Sequence, residues 1–517
     1  MKVFVLRGWF VSSIEMGYKP HPELAPRLIG YDPHVELPAD HLCRFVDEVV
    51  DKYAIVPEKE PGPGQPEYDP RALFKVLLFG YTTGVFSSRR LAQNCYESLP
   101  YMLLVRDDRP SYRVICDARV DHYEELDWLW YCLFDVAVQH KLPFLGKIAV
   151  DSCKFKADVS KESVVRRELF QEVRVKLTEI LAQAAKVDAS EDEEGLALRS
   201  QTGVASGSMH MRDILREIRK DSGPQKPKTL SPKMVKRVEK AIETLELAEA
   251  GELSHVSLTD PDARMMGLGA QKTIAMGHSL EVAAESGLLV HSQVIHQSTD
   301  TGRLPAAVAC ATQNSPAKKV TQVVADSGYY SGGDIVALQD AGLDVVVPDA
   351  STACDMKRGN PVGTSCGSAG PQIQFEPVEG QDAYVCPQGN ILMRTASWTH
   401  GGREFVKYRA KNSCVGCPLA DACLKRKNAR HRTITIAEHR ERLLEYLSGF
   451  DDPEVQSTYH QRGPSVETVF ALMRRILGFD RWHLRGSEAV SSEAMLLSNA
   501  YQIRKLHKHW AADLRAA

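Results

Sequence analysis

The chain predicts a mixed α/β fold: a sheet flanked by helices, preceded by an all-helical region and interrupted by a helical and a small cysteine-rich insertion. Three observations carry this prediction. Short β-prone runs recur at KIAVDSCKF, TIAMGHSLEVAAE, LLVHSQVIHQ, TQVVAD and DVVVP, and turn-forming residues separate them. Residues 70 to 140 read as helical throughout. Two stretches of different composition break the order of strands, a charged one at 161–255 and a cysteine-bearing one at 351–432.

In chain order, an N-terminal segment with one helix around Ala39 to Tyr53 leads into the Pro/Gly-rich stretch EKEPGPGQPEYDP at 58–70, and segment and linker are assigned to 1–66. The helical region spans 67–140. There Arg89, Arg90, Arg109 and Arg113 fall near helix ends, which suits a module that binds DNA, and equally suits scaffold salt bridges. The sheet-bearing region is 141–517. Within its charged insertion, Val235, Val238, Ile242 and Leu245 at helical spacing predict paired helices. A hairpin turning at Ser286 and Gly287 follows, then a helix from Leu304 to Ala311, a strand ending at Asp326, and DVVVP as the last strand of the sheet.

Three carboxylates stand out. Along KIAVDSCKF the two-residue strand period puts Asp151 on a face with Ala149, Cys153 and Phe155, where an unpaired charge is costly and one holding a cation is not. Asp326 follows Val323, Val324 and Ala325 and precedes a glycine-rich stretch, so it sits at a strand end, where sites on open α/β sheets gather; a turn-forming Asp is the plain alternative. Glu467 precedes apolar residues at helical spacing, with Gly463 and Pro464 marking the helix entry, so the positive end of the helix dipole favours its ionised form. Arg474, two turns on, shares its face and can reach a phosphate. Carboxylates are the hard oxygen ligands that Mg²⁺ requires, and two such ions about 4 Å apart stabilise the attacking and leaving oxygens of phosphoryl transfer.

These blocks, with DPRALFKVLLFGYTTGVFSSRRLAQNCYESLPYMLLV, SLTDPDARMM, VVADSGYYSGGDIVALQDAGLDVVVP, YHQRGPSVE and GFDRWHLRG, resemble bacterial insertion-sequence transposases of the DDE class, from about Asp69 to the end. The resemblance implies a ribonuclease H-like core with Asp151, Asp326 and Glu467 as the catalytic triad on two Mg²⁺ ions, for which Mn²⁺ can substitute. It also implies that Tyr459 and Arg462 contact DNA near the cleaved strand, and that double-stranded DNA, both element ends and target, is bound by a homodimer. One departure is Arg474, where relatives usually carry Lys; the guanidinium keeps the charge but offers a planar fork instead of a point charge. The resemblance implies cutting of element ends and their joining to target DNA. The rivals are a purely hydrolytic nuclease and a catalytically idle, zinc-stabilised DNA-binding descendant.

Cys386, Cys414, Cys417 and Cys423 form a C-x27-C-x2-C-x5-C pattern that suits a tetrahedral Zn²⁺ site, with reduced structural cysteines as the alternative. The other eight cysteines read as small buried hydrophobes. Lys407, Arg409, Lys411, Lys425, Arg426, Lys427, Arg430 and Arg432 crowd around this pattern, and such a patch neutralises phosphates when it is not simply a solvated surface. His278, His291 and His296 lack a metal-ligand interval and read as structural or exposed. Asp260, Asp262 and Arg264 read as an ion pair or turn that aligns the hairpin, and Asp300 as an auxiliary acid.

At 517 residues, 43% hydrophobic and 25% charged, the chain can bury a large core and is not a disordered tail. A net charge of −3 is weak evidence either way, because acidic and basic segments offset each other. No apolar run approaches the length of a membrane span, and the reduced cysteines fit the cytoplasm, with nucleoid association when bound to DNA. GYKPHPELAP reads as the start of a soluble protein, which makes Met16 a candidate first residue beside Met1.

Overall fold

A computed structural model describes residues 32–56, 67–194, 232–251, 253–269, 273–362, 375–400, 403–424, 429–437 and 439–516. The choice between Met1 and Met16, and the expected DNA contacts Lys425, Arg426 and Lys427, lie outside the described residues. The strands in chain order are β1 (Lys147–Lys156), β2 (Val164–Arg166), β3 (His255–Ser257), β4 (Arg264–Leu268), β5 (Thr273–Glu285), β6 (Leu288–Ile295), β7 (Gln322–Ala325), β8 (Asp344–Val346), β9 (Glu376–Pro377), β10 (Ala383–Val385), β11 (Ile391–His400), β12 (Arg403–Ala410) and β13 (Thr433–Ala437).

The central sheet is mixed. β5 lies antiparallel to β1, whose other edge runs parallel to β7, and β7 runs parallel to β8. The far edge of β5 is shared end to end by β4 and β6, both antiparallel to it. Ile148, Ala149 and Val150 are all buried, as expected for the middle of a sheet covered on both faces. Ser286 and Gly287 turn the β5–β6 hairpin with φ of 53° and 80°, the positive values a two-residue type I′ loop requires. The mixed sheet with its helices is consistent with the expected ribonuclease H-like core. The segment read as an ion pair or turn that aligns the hairpin turns at Pro261 and Asp262 and enters β4 at Arg264, and Asp260 grips the hairpin through His278 Nε2 at 2.9 Å.

The apolar core does not stop at residue 140. One continuous cluster runs from Cys43 and Val46 through Phe74, Leu77, Trp130 and Leu133 into Val150, Val282 and Val323 of the sheet, and on to Leu497 and Leu506. The C-terminal helix Ser487–Ala516 joins the parts. Its Arg504 donates to the Thr82 carbonyl at 2.7 Å, His507 lies 2.8 Å from the Asp40 carbonyl, and its Gln502 side chain bonds both backbone groups of Leu289 in β6. Helical and sheet regions are therefore packed as one body.

The two interruptions have cores of their own. Helices Phe170–Glu194 and Pro232–Ala250 pack through Val173, Leu177, Val238, Ala241 and Leu245, above the short β2–β3 ladder. Strands β9 to β13 make a separate antiparallel sheet around Leu392, Tyr408 and Ile434. No helix among the described residues is long and apolar enough to cross a membrane.

The segment after the Glu467 helix is held by one buried carboxylate. Glu493 accepts hydrogen bonds from the backbone N–H groups of His483 and Leu484 at 2.8 and 3.1 Å, lies 2.8 Å from the His483 ring, and accepts from the Tyr81 hydroxyl at 3.0 Å. Beside this clamp, Trp482 is fully buried and donates its backbone N–H to the Lys156 carbonyl, which ties the segment to the end of β1. Removing the acceptor leaves several donors without a partner. We expect Glu493→Ala to lose about 3 kcal/mol of stability, read as a lower thermal unfolding midpoint, with Glu493→Gln intermediate. An unchanged midpoint for the Ala variant would show that the clamp is dispensable.

Candidate active site

β1 and β7 run parallel in a register that pairs Val150 with Ala325, so the next residue on each strand is a carboxylate, Asp151 beside Asp326. Neighbouring strands lie about 4.8 Å apart. The two acids are thus brought together by the sheet itself. Burial pushes the Asp151 carboxyl up to about 6; the neighbouring Asp326 adds to the rise, and the Arg462 guanidinium opposes it. Asp326 also accepts the Gly328 N–H at 2.9 Å and caps the short turn Ser327–Tyr329. Turn-forming and site-forming roles therefore coexist in this residue.

Glu467 reaches the site by a route the sequence did not reveal. Gly463 and Pro464 do not open a helix; they lie inside a continuous helical stretch from Pro453 to Ile476, so the expected dipole at a helix N-terminus is absent. The stretch widens into a π-helical turn over Gly463–Glu467. Pro464 brings no N–H and would crowd an ordinary α-turn, and the wider turn relieves that conflict. The widening also sets direction. Five residues of α-helix rotate by about 500°, leaving Arg462 and Glu467 about 140° apart, whereas a turn closed by i→i+5 bonds returns them to one face.

That face closes the site. Arg462 Nη1 donates to Asp151 Oδ2 at 2.9 Å, and its Nη2 lies 3.8 Å from Glu467 Oε1. Tyr459, one turn earlier, places its half-buried ring 5.8 Å from the same guanidinium. Asp151, Asp326 and Glu467 all act on Arg462 electrostatically. The guanidinium thus bridges Asp151 and Glu467 and feels the charge of Asp326. Among the described residues no three His, Cys, Asp or Glu side chains are already drawn in to metal-ligand spacing. The guanidinium holds positive charge between carboxylates instead, and a donor set of oxygens around a cation is what a hard divalent ion requires.

Two further acids lie behind this group. Asp300 receives the Ser152 hydroxyl at 2.7 Å and feels Asp326, while burial raises its carboxyl. Glu281 is fully buried on β5, beside Ser152 in the ladder, and was not singled out from the sequence. It takes the Tyr329 hydroxyl at 3.3 Å, Arg303 at 3.2 Å and lies 3.1 Å from His291, fixing the turn that carries Asp326. The available signal was a lone Glu in the apolar strand run SLEVAA.

The remaining expected residues are dispersed. Arg474 donates to the Lys154 carbonyl at 2.7 Å and lies 4.9 Å from the Phe155 ring, so it sits beyond Asp151 along β1. Arg89 and Arg90 are exposed at the start of helix Ser88–Glu97, and Arg89 lies 5.1 Å from the exposed Tyr112 ring. Arg109 instead donates to the Arg106 and Asp108 carbonyls, a scaffold role. His278, His291 and His296 are structural, engaged by Asp260, Glu281 and Ser487.

Cys386, Cys414, Cys417 and Cys423 line one cavity of about 350 Å³. The N–H groups of Asn390 and Arg432 donate to the sulfurs of Cys386 and Cys414, each at 3.3 Å. Arg432 also lies 5.6 Å from the Phe375 ring, so part of the basic patch serves this small fold.

Two family models match the chain: one described as a transposase domain (DUF772) over residues 32–121, the other as a transposase DDE domain over residues 385–507. The second includes Tyr459, Arg462, Glu467 and Arg474; Asp151 and Asp326 fall outside both. No curated protein matches the chain. A transposase domain on the N-terminal helices followed by a transposase DDE domain around the glutamate helix indicates an insertion-sequence DDE transposase.

Proposed function

We propose that this transposase cuts the ends of its element and joins them to target DNA by phosphoryl transfer at Asp151, Asp326 and Glu467. The observation that carries the proposal is the pairing of β1 with β7, which sets two carboxylates side by side, with Glu467 turned towards them across Arg462. A ribonuclease H-like reading of the core fits the same sheet. When bound, two Mg²⁺ ions, or Mn²⁺ in their place, supply charge stabilisation for the attacking and leaving oxygens. Asp151 and Asp326 would hold both ions, and Glu467 would complete the ligand set of one.

The chain's own contribution is positioning. Water attacks the phosphodiester at the element end, and the freed 3′-hydroxyl then attacks target DNA, with no protein nucleophile required. With Asp151 and Asp326 holding cations, Arg462 would no longer be needed on Asp151, and its fork could receive a phosphate oxygen of the bound strand. Tyr459 packs against Phe450 and Val324 and supports that guanidinium. Arg89 and Arg90 offer exposed charge for the terminal repeats, and two DNA ends meeting in one complex call for a dimer. For the four cysteines we propose Zn²⁺, supported by the shared cavity and by backbone donors aimed at sulfur.

On a duplex carrying the element's terminus, Asp326→Asn should lower Mg²⁺-dependent strand cleavage by about a hundredfold or more while leaving gel-shift affinity within about threefold. Cleavage retained by that variant rejects the triad. Release of the 3′ end without joining to a new strand would instead make the protein a nuclease. Arg462→Ala should bind Mn²⁺ more tightly than the parent in calorimetry without DNA, because a competing cation is gone, yet cleave more slowly; unchanged Mn²⁺ affinity would contradict the exchange. Protein purified without chelator should contain one zinc per chain by elemental analysis, with Cys417→Ser losing it. A zinc-free parent would leave the four thiols as reduced structural cysteines.

A further inference from the structure

A cavity of about 1090 Å³ opens next to the candidate site, between the end of β1, strands β4 and β5, and the base of the helical insertion. Lys154, Lys156, Lys161, Arg166 and Arg474 line it, with His255; Asp480 is the one carboxylate among the described lining residues. Among the described residues, Lys156, Lys161 and Arg166 have no ion-pair partner. Five basic side chains gathered around one cavity against a single described carboxylate repel each other, so the arrangement favours an anionic occupant.

The walls are apolar. Leu169, Met265, Leu268 and Ile274 are among the apolar lining residues, and Ile274 is 72% exposed. A duplex keeps its base faces stacked inside and offers little that could cover such a surface. A single strand presents phosphates to a cationic rim and base faces to an apolar wall. The position agrees, because Arg474 belongs to the helical stretch that carries Glu467 and is hydrogen-bonded to β1 three residues beyond Asp151. Anything leaving the acids along β1 meets this rim next.

We infer that the cavity binds an unpaired stretch of DNA, the strand freed beside the cleavage point, and that the helical insertion supplies part of its wall through Lys161, Arg166 and Leu169. This rests on the phosphoryl-transfer reading of the site, from which its test is separable. The probes are a fluorescein-labelled twelve-nucleotide thymidine strand and a duplex of equal length, titrated into full-length protein between 50 and 200 mM salt.

Replacing Lys156, Lys161 and Arg166 together by Ala should lower single-strand affinity about tenfold at the higher salt and reduce the slope of log affinity against log salt by about 2. Duplex affinity should change by less than about threefold, because other surfaces bind it. An equal loss for both probes overturns the single-strand assignment, and unchanged single-strand affinity and slope overturn the inference outright. As a measurement that does not depend on the triple variant folding, a photocrosslinking amino acid in place of Ile274 should capture the thymidine strand; no crosslink would also overturn it. Parent protein that binds the single strand but never cleaves DNA would defeat the catalytic reading and leave the cavity assignment standing.

Discussion

The register between β1 and β7 is the constraint on which the site depends. Side chains alternate across a strand, so a slip of one residue would send Asp151 and Asp326 to opposite faces of the sheet. The register is fixed by burial. Ile148 with Val323 and Ala149 with Val324 are paired in the middle of a sheet covered on both faces, and a slip would move apolar residues out of that packing as well as the acids. The geometry of the carboxylates is thereby protected by hydrophobic free energy, although neither acid contributes to it.

Setting like charges on neighbouring strands is costly, and the chain offsets the cost with Arg462. The raised Asp151 carboxyl records the conflict: burial and Asp326 push it up and the guanidinium pulls it down. The π-helical turn lets one side chain serve both Asp151 and Glu467, since an ordinary α-helix would carry Arg462 and Glu467 to different faces. Such wide turns are frequent at functional sites, and Pro464 gives a local physical reason for this one. Tyr459 then limits where the guanidinium can go by packing beside it.

Behind the acids the structure is stiff. Glu281 anchors the Tyr329 turn, Asp260 grips His278, and Glu493 holds the strand-like segment against the end of β1. All three are buried carboxylates with several polar partners, an arrangement that specifies one geometry at the expense of desolvation. The helical region shares the same core, so its exposed Arg89 and Arg90 are joined to the sheet through packed side chains. The two insertions, with cores of their own, can instead shape the surroundings of the site without disturbing its centre.

Much was legible in the residues alone. Period-two runs predicted the strands, the Ser286–Gly287 turn predicted the hairpin, and helical spacing predicted the paired helices of the insertion. Each is a local property, set by side-chain direction and turn stereochemistry. Gly463 and Pro464 read as a helix entry because turn-forming residues usually mark an end, whereas the chain continues through them in a wider turn packed against β1 and β5. Glu281, the continuity of the core past residue 140 and the cationic cavity were equally hidden, because each joins residues far apart in the chain. Sequence determined which residues could serve as acids, cations and turns; the tertiary structure decided which of them meet, since only the register of β1 with β7 and the turn before Glu467 fix those long-range directions.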